Sequence, residues 1–188
     1  QFCSLMAVSL AGIKQYYDEK YDRGNFIKDI VFKRILASVV MREKPSLEFY
    51  FTGGGEPTYN WSRFEKAVLE VERQCREKGV TLTLGMTTNG VLNDRQREFI
   101  INHFQKVMLS FDGLPNIQNK NRMMANGNET NEIVNKTIKK LIVGNVRVTI
   151  RTTIWQEDFG YLNEMFDFIT VTYPGLVSWD INPVTPAG

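Results

Sequence analysis

Apolar residues recur along this chain with two alternating periods. In "FIKDIVFKRILASVVMR" (26–42), Phe26, Ile27, Ile30, Val31, Ile35, Val39 and Val40 fall near one side of a helix. Pro45 closes that segment, and "SLEFYF" follows as a strand. Asn60 or Ser62 is placed to cap a second helix, in which Phe64, Ala67, Val68, Val71 and Cys75 recur at helical spacing until Gly79 ends it. "VTLTLGM" reads as the next strand, and a helix over 94–103 follows with Asn93 as its cap. "KVMLSF" is a strand, followed by a long polar loop and a helix over 129–143. "VRVTIRTTI" reads as a strand, "GYLNEMFDFIT" as a helix and "LVSWDINPV" as a strand.

Strands thus alternate with helices along the whole pattern, which predicts parallel strands joined by right-handed crossovers. The fold class is α/β, either a doubly wound sheet or a (β/α) barrel. The unusual residues collect at one place in each repeat. "TGGGEP" follows the first strand of the pattern, "TTNG" the second, "SFDG" the third, "RTT" the fourth and "NPV" the fifth. All are C-terminal ends of strands, the side that carries the active site in a barrel.

Composition narrows the class of function. The chain has 188 residues, 43% hydrophobic and 23% charged, enough for one globular domain with a core. With 23 basic and 21 acidic residues the net charge is +2, and no long basic run occurs, so no nucleic-acid partner is expected. No apolar stretch is long enough for a membrane span, and the chain does not open on a signal-peptide pattern. Cys3 and Cys75 give no disulfide framework, which points to a reducing compartment such as the cytoplasm. Sequons occur at Asn60, Asn128 and Asn135 and are read as chance. The chain opens on Gln1 without a methionine and stops after "NPVTPAG", and further residues are expected on both sides.

The turn "GGGEP" at 53–57 is the most informative stretch. It lacks the Gly-Lys-Ser/Thr ending of a phosphate loop, and it is not the G-x-G-x-x-G dinucleotide pattern. A carboxylate beside turned backbone carbonyls suits a cationic group such as an ammonium. A plain turn with a solvated glutamate accounts for the glycines as well.

"GGGEP" resembles the Gly-Gly-Glu-Pro motif of radical S-adenosylmethionine enzymes. "TTNG" at 87–90 resembles that superfamily's third-strand segment. "LSFDGLPNIQNKNR" at 109–122 and "RVTIRTTI" at 147–154 resemble the peptide- and protein-modifying SPASM subgroup, which includes anaerobic sulfatase-maturating enzymes. The segments run in the family's order over nearly the whole chain. The resemblance implies a partial (β/α)6 barrel, here one core domain over 1–188 with the first strand and most of the cluster loop missing. It also implies S-adenosylmethionine and a [4Fe-4S] cluster held by Cys-x-x-x-Cys-x-x-Cys. That motif is not in this chain. "QFC" fits its end, which makes Cys3 the third ligand and places two more cysteines before Gln1. Without the resemblance Cys3 reads as a small buried apolar residue; with it, as the cluster ligand.

On the same resemblance, Gly54, Gly55 and Glu56, with Pro57 closing the motif, receive the methionine amino group. Asn89, Ser110 and Arg122 serve its carboxylate and the ribose, and Asn182 the adenine side. Arg151, alternating with apolar neighbours, points into the barrel. Each has a plain counterpart: Asn89-Gly90 and Asp112-Gly113 as turns, Arg122 as a solvated loop cation, Arg151 in an ion pair, Asn182-Pro183 as a strand end. The implied reaction is reductive cleavage of S-adenosylmethionine at the cluster, giving a deoxyadenosyl radical that abstracts hydrogen from a peptide or protein. An external donor such as flavodoxin or ferredoxin supplies the electron. Two other readings stand beside it: a non-catalytic ligand-binding barrel without the cluster, and an α/β domain for a nucleotide-sugar or phosphate. His103 is assigned to a helix end, Cys75 to the core, and Met123, Met124 and Trp155 to a possible substrate contact.

Overall fold

The computed structural model describes residues 7–9, 30–52 and 55–184. The chain divides into two compact units, residues 1–87 and 88–188. The first contains β1 (Ala7–Ser9), α1 (Ile30–Val40), β2 (Ser46–Thr52), a 3-10 turn (Pro57–Asn60), α2 (Trp61–Glu77) and β3 (Thr81–Thr88), whose last residue belongs to the second unit. The second contains α3 (Asp94–His103), β4 (Lys106–Ser110), α4 (Pro115–Asn121), α5 (Asn131–Val143), β5 (Arg147–Ile154), a 3-10 stretch (Gln156–Tyr161), α6 (Leu162–Thr172) and β6 (Ser178–Pro183).

In the first unit β2 is parallel to both β1 and β3, with Ala7 opposite Tyr50 and Leu47 opposite Leu82. Alternation along β2 is clean: Leu47, Phe49 and Phe51 are buried, while Glu48, Tyr50 and Thr52 lie on the other face. A chain of edge-to-face aromatic contacts carries the core from α1 through β2 to α2, from Phe32 to Phe49, Phe51 and Phe64 at centroid distances of 5.8, 5.1 and 5.2 Å. Asn60 is the cap of α2, its Oδ1 accepting from Arg63 N at 3.2 Å, and Gly79 takes φ +65° just beyond the helix. Cys75 is buried on α2, as expected, and burial pushes its thiol up to about 11.

Two details depart from the sequence pattern here. A three-residue strand, Ala7–Ser9, precedes the strand taken as first. Three residues are too few to show an alternation. In α1 Phe32, Leu36 and Val39 are buried: Val39 lies on the side traced from the sequence, whereas Phe32 and Leu36 do not, and Ile35 is only half-buried. Apolar residues surround this helix, so its period alone does not select which of them face β2.

In the second unit β4, β5 and β6 pair in parallel and in sequence order, with Ser110 opposite Arg151 and Arg151 opposite Asp180. Val107, Leu109 and Phe111 and, on β5, Val148, Ile150 and Ile154 are buried, Ile154 in a cluster with Ile117 and Met165; Leu109, Ile138 and Ile150 have no exposed surface. Asn93 caps α3 in a reciprocal box with Gln96. His103 ends that helix, stacked on Phe99 at 4.2 Å. The loop after β4, expected to be irregular, contains α4. Pro115 starts it, but only Ile117 and Gln118 are buried, so it has no apolar stripe to read. No helix among the described residues is long and apolar enough to cross a membrane.

Candidate functional site

The candidate residues divide between the two units. In the first, Cys3 and Gly54 lie outside the described residues. Gly55 is exposed, and a Cβ placed on it meets no atom within 4 Å. Glu56 is half-buried and caps the 3-10 turn: its Oε1 accepts from Thr58 N at 3.2 Å and from Thr58 Oγ1 at 2.6 Å. Pro57 supplies the first residue of that turn, where no N–H is needed. The glutamate is therefore not a solvated side chain on a loose loop. Its carboxylate is aimed by Thr58, which is itself 7% exposed.

In the second unit the strand alternation sorts the candidates. On β5, Val148, Ile150, Thr152 and Ile154 are buried, so Arg147, Thr149, Arg151 and Thr153 occupy the other face. Register places Ser110 beside Arg151, Arg151 beside Asp180, and Thr153 beside Asn182 on that same face. Ser110, Arg151 and Asn182 thus stand together. Arg151 is nearly half-exposed and makes a loose ion pair with Asp180, Nη2 to Oδ2 3.9 Å. That is the plain counterpart weighed for Arg151, and it leaves the guanidinium at the surface of the face. Asn89 is exposed after β3; its Oδ1 accepts from Val91 N at 2.9 Å, and Gly90 takes φ +76°. The Asn89-Gly90 stretch is therefore a turn, its carbonyl committed to the backbone.

Arg122 has a partner the sequence did not suggest. It is the residue after α4, and its guanidinium is held by side chains of this chain rather than standing as a solvated loop cation. Its Nε donates to Asp112 Oδ2 at 2.8 Å and its Nη2 to Asp112 Oδ1 at 2.9 Å and Thr153 Oγ1 at 3.3 Å. The planar fork is spent on a carboxylate of this chain whose side chain is 2% exposed. Asp112, Gln118, Thr130 and Thr153 are the members of this network that the pattern missed. The only signal was Asp112-Gly113, a pair equally typical of any turn. Gly113 does take φ +82°, with Met165 Cγ 3.0 Å from where a Cβ would stand.

Among the described residues no group of three His, Cys, Asp or Glu side chains could hold a metal. Cys75, buried in α2 with its proton held by desolvation, is no thiolate ligand. The described residues therefore supply no cluster site. Met123 and Trp155 are exposed, at 60% and 46%.

No protein-family model matches the chain, and a search of curated proteins finds no match. Solved structures do match. One is native anSMEcpe with bound AdoMet and Kp18Cys peptide: TM-score 0.67, 23% identity, 84% of this chain and 43% of that one. A second is native anSMEcpe with bound AdoMet and Cp18Cys peptide: TM-score 0.65, 25% identity, 82% of this chain and 42% of that one. A third is Streptococcus suis SuiB bound to precursor peptide SuiA: TM-score 0.54, 18% identity, 82% of this chain and 32% of that one. The chain spans less than half the length of these structures. Over the part it spans, the fold is theirs: the parallel α/β fold that the order of elements predicts, in the barrel form, one of the two left open, that the family resemblance implies.

Proposed function

We propose that this chain is the S-adenosylmethionine-binding core of a radical S-adenosylmethionine enzyme that modifies a peptide or protein. The observation that carries the reading is the likeness, over 84% of the chain, to anSMEcpe with AdoMet and a peptide bound. The site residues agree with it chemically. Gly55 leaves its turn unobstructed, and Glu56, aimed by Thr58, offers a carboxylate to the methionine ammonium. Ser110 and Arg151, side by side in register, offer a hydroxyl and a cationic fork to the methionine carboxylate. Asn182, one step further along the same face, suits the ribose or adenine edge. Arg151 takes the role first given to Arg122, whose fork is occupied.

The [4Fe-4S] cluster belongs to residues outside those described, Cys3 among them, and when bound it supplies the electron for cofactor cleavage. With both groups bound, the deoxyadenosyl radical released by that cleavage would abstract hydrogen from the peptide or protein. The electron donor proposed is a flavodoxin or ferredoxin, and the cysteine usage agrees with a reducing compartment such as the cytoplasm. Membership of the SPASM subgroup rests on the segments 109–122 and 147–154.

Anaerobic reconstitution of the intact protein tests this. Wild type is expected to bind iron and sulfide and to release 5′-deoxyadenosine from S-adenosylmethionine under reduction. Cys3→Ala is expected to lose cluster content. A wild-type protein that neither binds S-adenosylmethionine nor cleaves it would sink the reading. Equal iron in Cys3→Ala would remove Cys3 from the ligand set.

A further inference from the structure

Asp112 and Arg122 form a closed ring of hydrogen bonds that the binding roles above leave unexplained. Asp112 N donates to Gln118 Oε1 at 2.8 Å, Gln118 Nε2 to Thr130 Oγ1 at 3.0 Å, and Thr130 Oγ1 to Arg122 O at 2.8 Å. The Arg122 fork returns to the Asp112 carboxylate. Asp112, Gln118 and Thr130 are each 3% exposed or less, so the ring is closed to solvent except on the side of Arg122, whose side chain is 27% exposed.

Its outward link is to β5. The backbone ladder between β4 and β5 runs past Ser110 opposite Arg151 to Phe111 N, which donates to Arg151 O at 3.0 Å. One residue further on, Asp112 Oδ1 accepts from Thr153 N at 3.1 Å, so a side chain extends the ladder where the strand has ended. Ser110 lies two residues before that clamp and Arg151 two residues before its other end.

We infer that the Asp112–Arg122 pair is a positioning device: it locks the C-terminal end of β4 to that of β5 and so holds Ser110 and Arg151 at the spacing that grips an anionic group of the ligand. The inference rests on the proposed function and deepens it. A carboxylate suits position 112 because it accepts the guanidinium fork on both oxygens and Thr153 N as well. An asparagine there offers one acceptor and no charge. A lysine at 122 keeps the charge and loses the fork.

The test is calorimetric titration of the intact protein with S-adenosylmethionine, at a temperature where circular dichroism shows each variant folded. Asp112→Asn and Arg122→Ala are each expected to weaken binding by about tenfold or more, and the double variant no further than the worse single, since the pair acts as one unit. Arg122→Lys is expected to fall between. Hydrogen exchange at the Thr153 amide is expected to speed up in Asp112→Asn. If Arg122 instead gripped the ligand directly, Asp112→Asn would free the fork and binding would hold or improve, which overturns the inference. Unchanged affinity with only a lowered melting temperature also overturns it, by making the pair structural. Should the first two variants fail to fold, Arg122→Lys decides: wild-type affinity there counts against positioning. A wild type that does not bind at all sinks the functional reading itself, and this inference with it.

Discussion

Replacing Gly85 by alanine tests how the ends of β2 and β3 are set. The two strands pair with Gly85 opposite Tyr50. A Cβ on Gly85 would stand 2.2 Å from Tyr50 Cε1, 2.5 Å from Cδ1 and 2.7 Å from Cζ. Carbon atoms in contact sit about 3.5–4.0 Å apart, so the ring must retreat by roughly 1 Å or more. These are ring carbons, with no flexible end to swing aside. Tyr50 OH also donates to Glu48 Oε1 at 2.9 Å, which a retreating ring strains. Overpacking of this kind costs about 1–3 kcal/mol. A lost hydrogen bond adds about 0.5–1.5 kcal/mol. Alanine returns about 0.5–1 kcal/mol through lower chain entropy in the unfolded state. The net expectation is a loss of about 1–3 kcal/mol, read as a lowered urea midpoint with unchanged slope. Adding Tyr50→Ala removes the obstacle, so the double variant should be more stable than the two single losses added together, by about 1 kcal/mol or more. Gly85→Ala as stable as wild type, or strictly additive losses in the double variant, would refute the reasoning. The consequence reaches the start of the turn proposed to bind the ligand, because Thr52 and Thr87 pair hydroxyls at 3.5 Å two residues beyond this contact and immediately before Gly53 in the chain.

Glu56→Gln keeps an acceptor for Thr58 and loses the charge. S-adenosylmethionine affinity in a calorimetric titration is expected to fall about tenfold to a hundredfold, with the melting temperature little changed. An unaffected affinity would confine Glu56 to capping. Asn93→Ala removes one half of the box that starts α3 and should cost about 1 kcal/mol in urea unfolding. Cys75 should resist thiol reagents until the protein unfolds. Because its folded thiol holds a proton up to about 11, the folded state binds more protons than the unfolded one above the ordinary thiol range. The stability tied to this thiol is whole below that range and is lost as pH rises toward 11. The difference in urea midpoint between wild type and Cys75→Ala, followed from pH 8 to 11, should shrink; a constant difference would contradict it.

Much of this protein was settled by residues close together in the chain. Asn93 with Gln96, Asn60 with Arg63, Gly79 at a left-handed φ and the alternation in 147–154 each act within one turn or one strand, so the element order and most boundaries follow from local chemistry. The strand ends carrying Glu56, Asn89, Ser110, Arg151 and Asn182 were legible for the same reason. What those side chains do with their polar atoms was decided elsewhere. Arg122 meets Asp112 ten residues back and Thr153 thirty-one residues ahead, and no spacing rule connects three positions brought together only by the β4–β5 pairing. Of the fork that sequence reasoning aimed at a ligand, Nε and Nη2 are paired inside the chain. The choice of Phe32, Leu36 and Val39 on α1 is likewise made by the partner surface, since Phe32 packs edge-on against Phe49 of β2. Local propensity and period decide which elements form; burial against distant residues decides which face turns inward and which charged group remains available for binding.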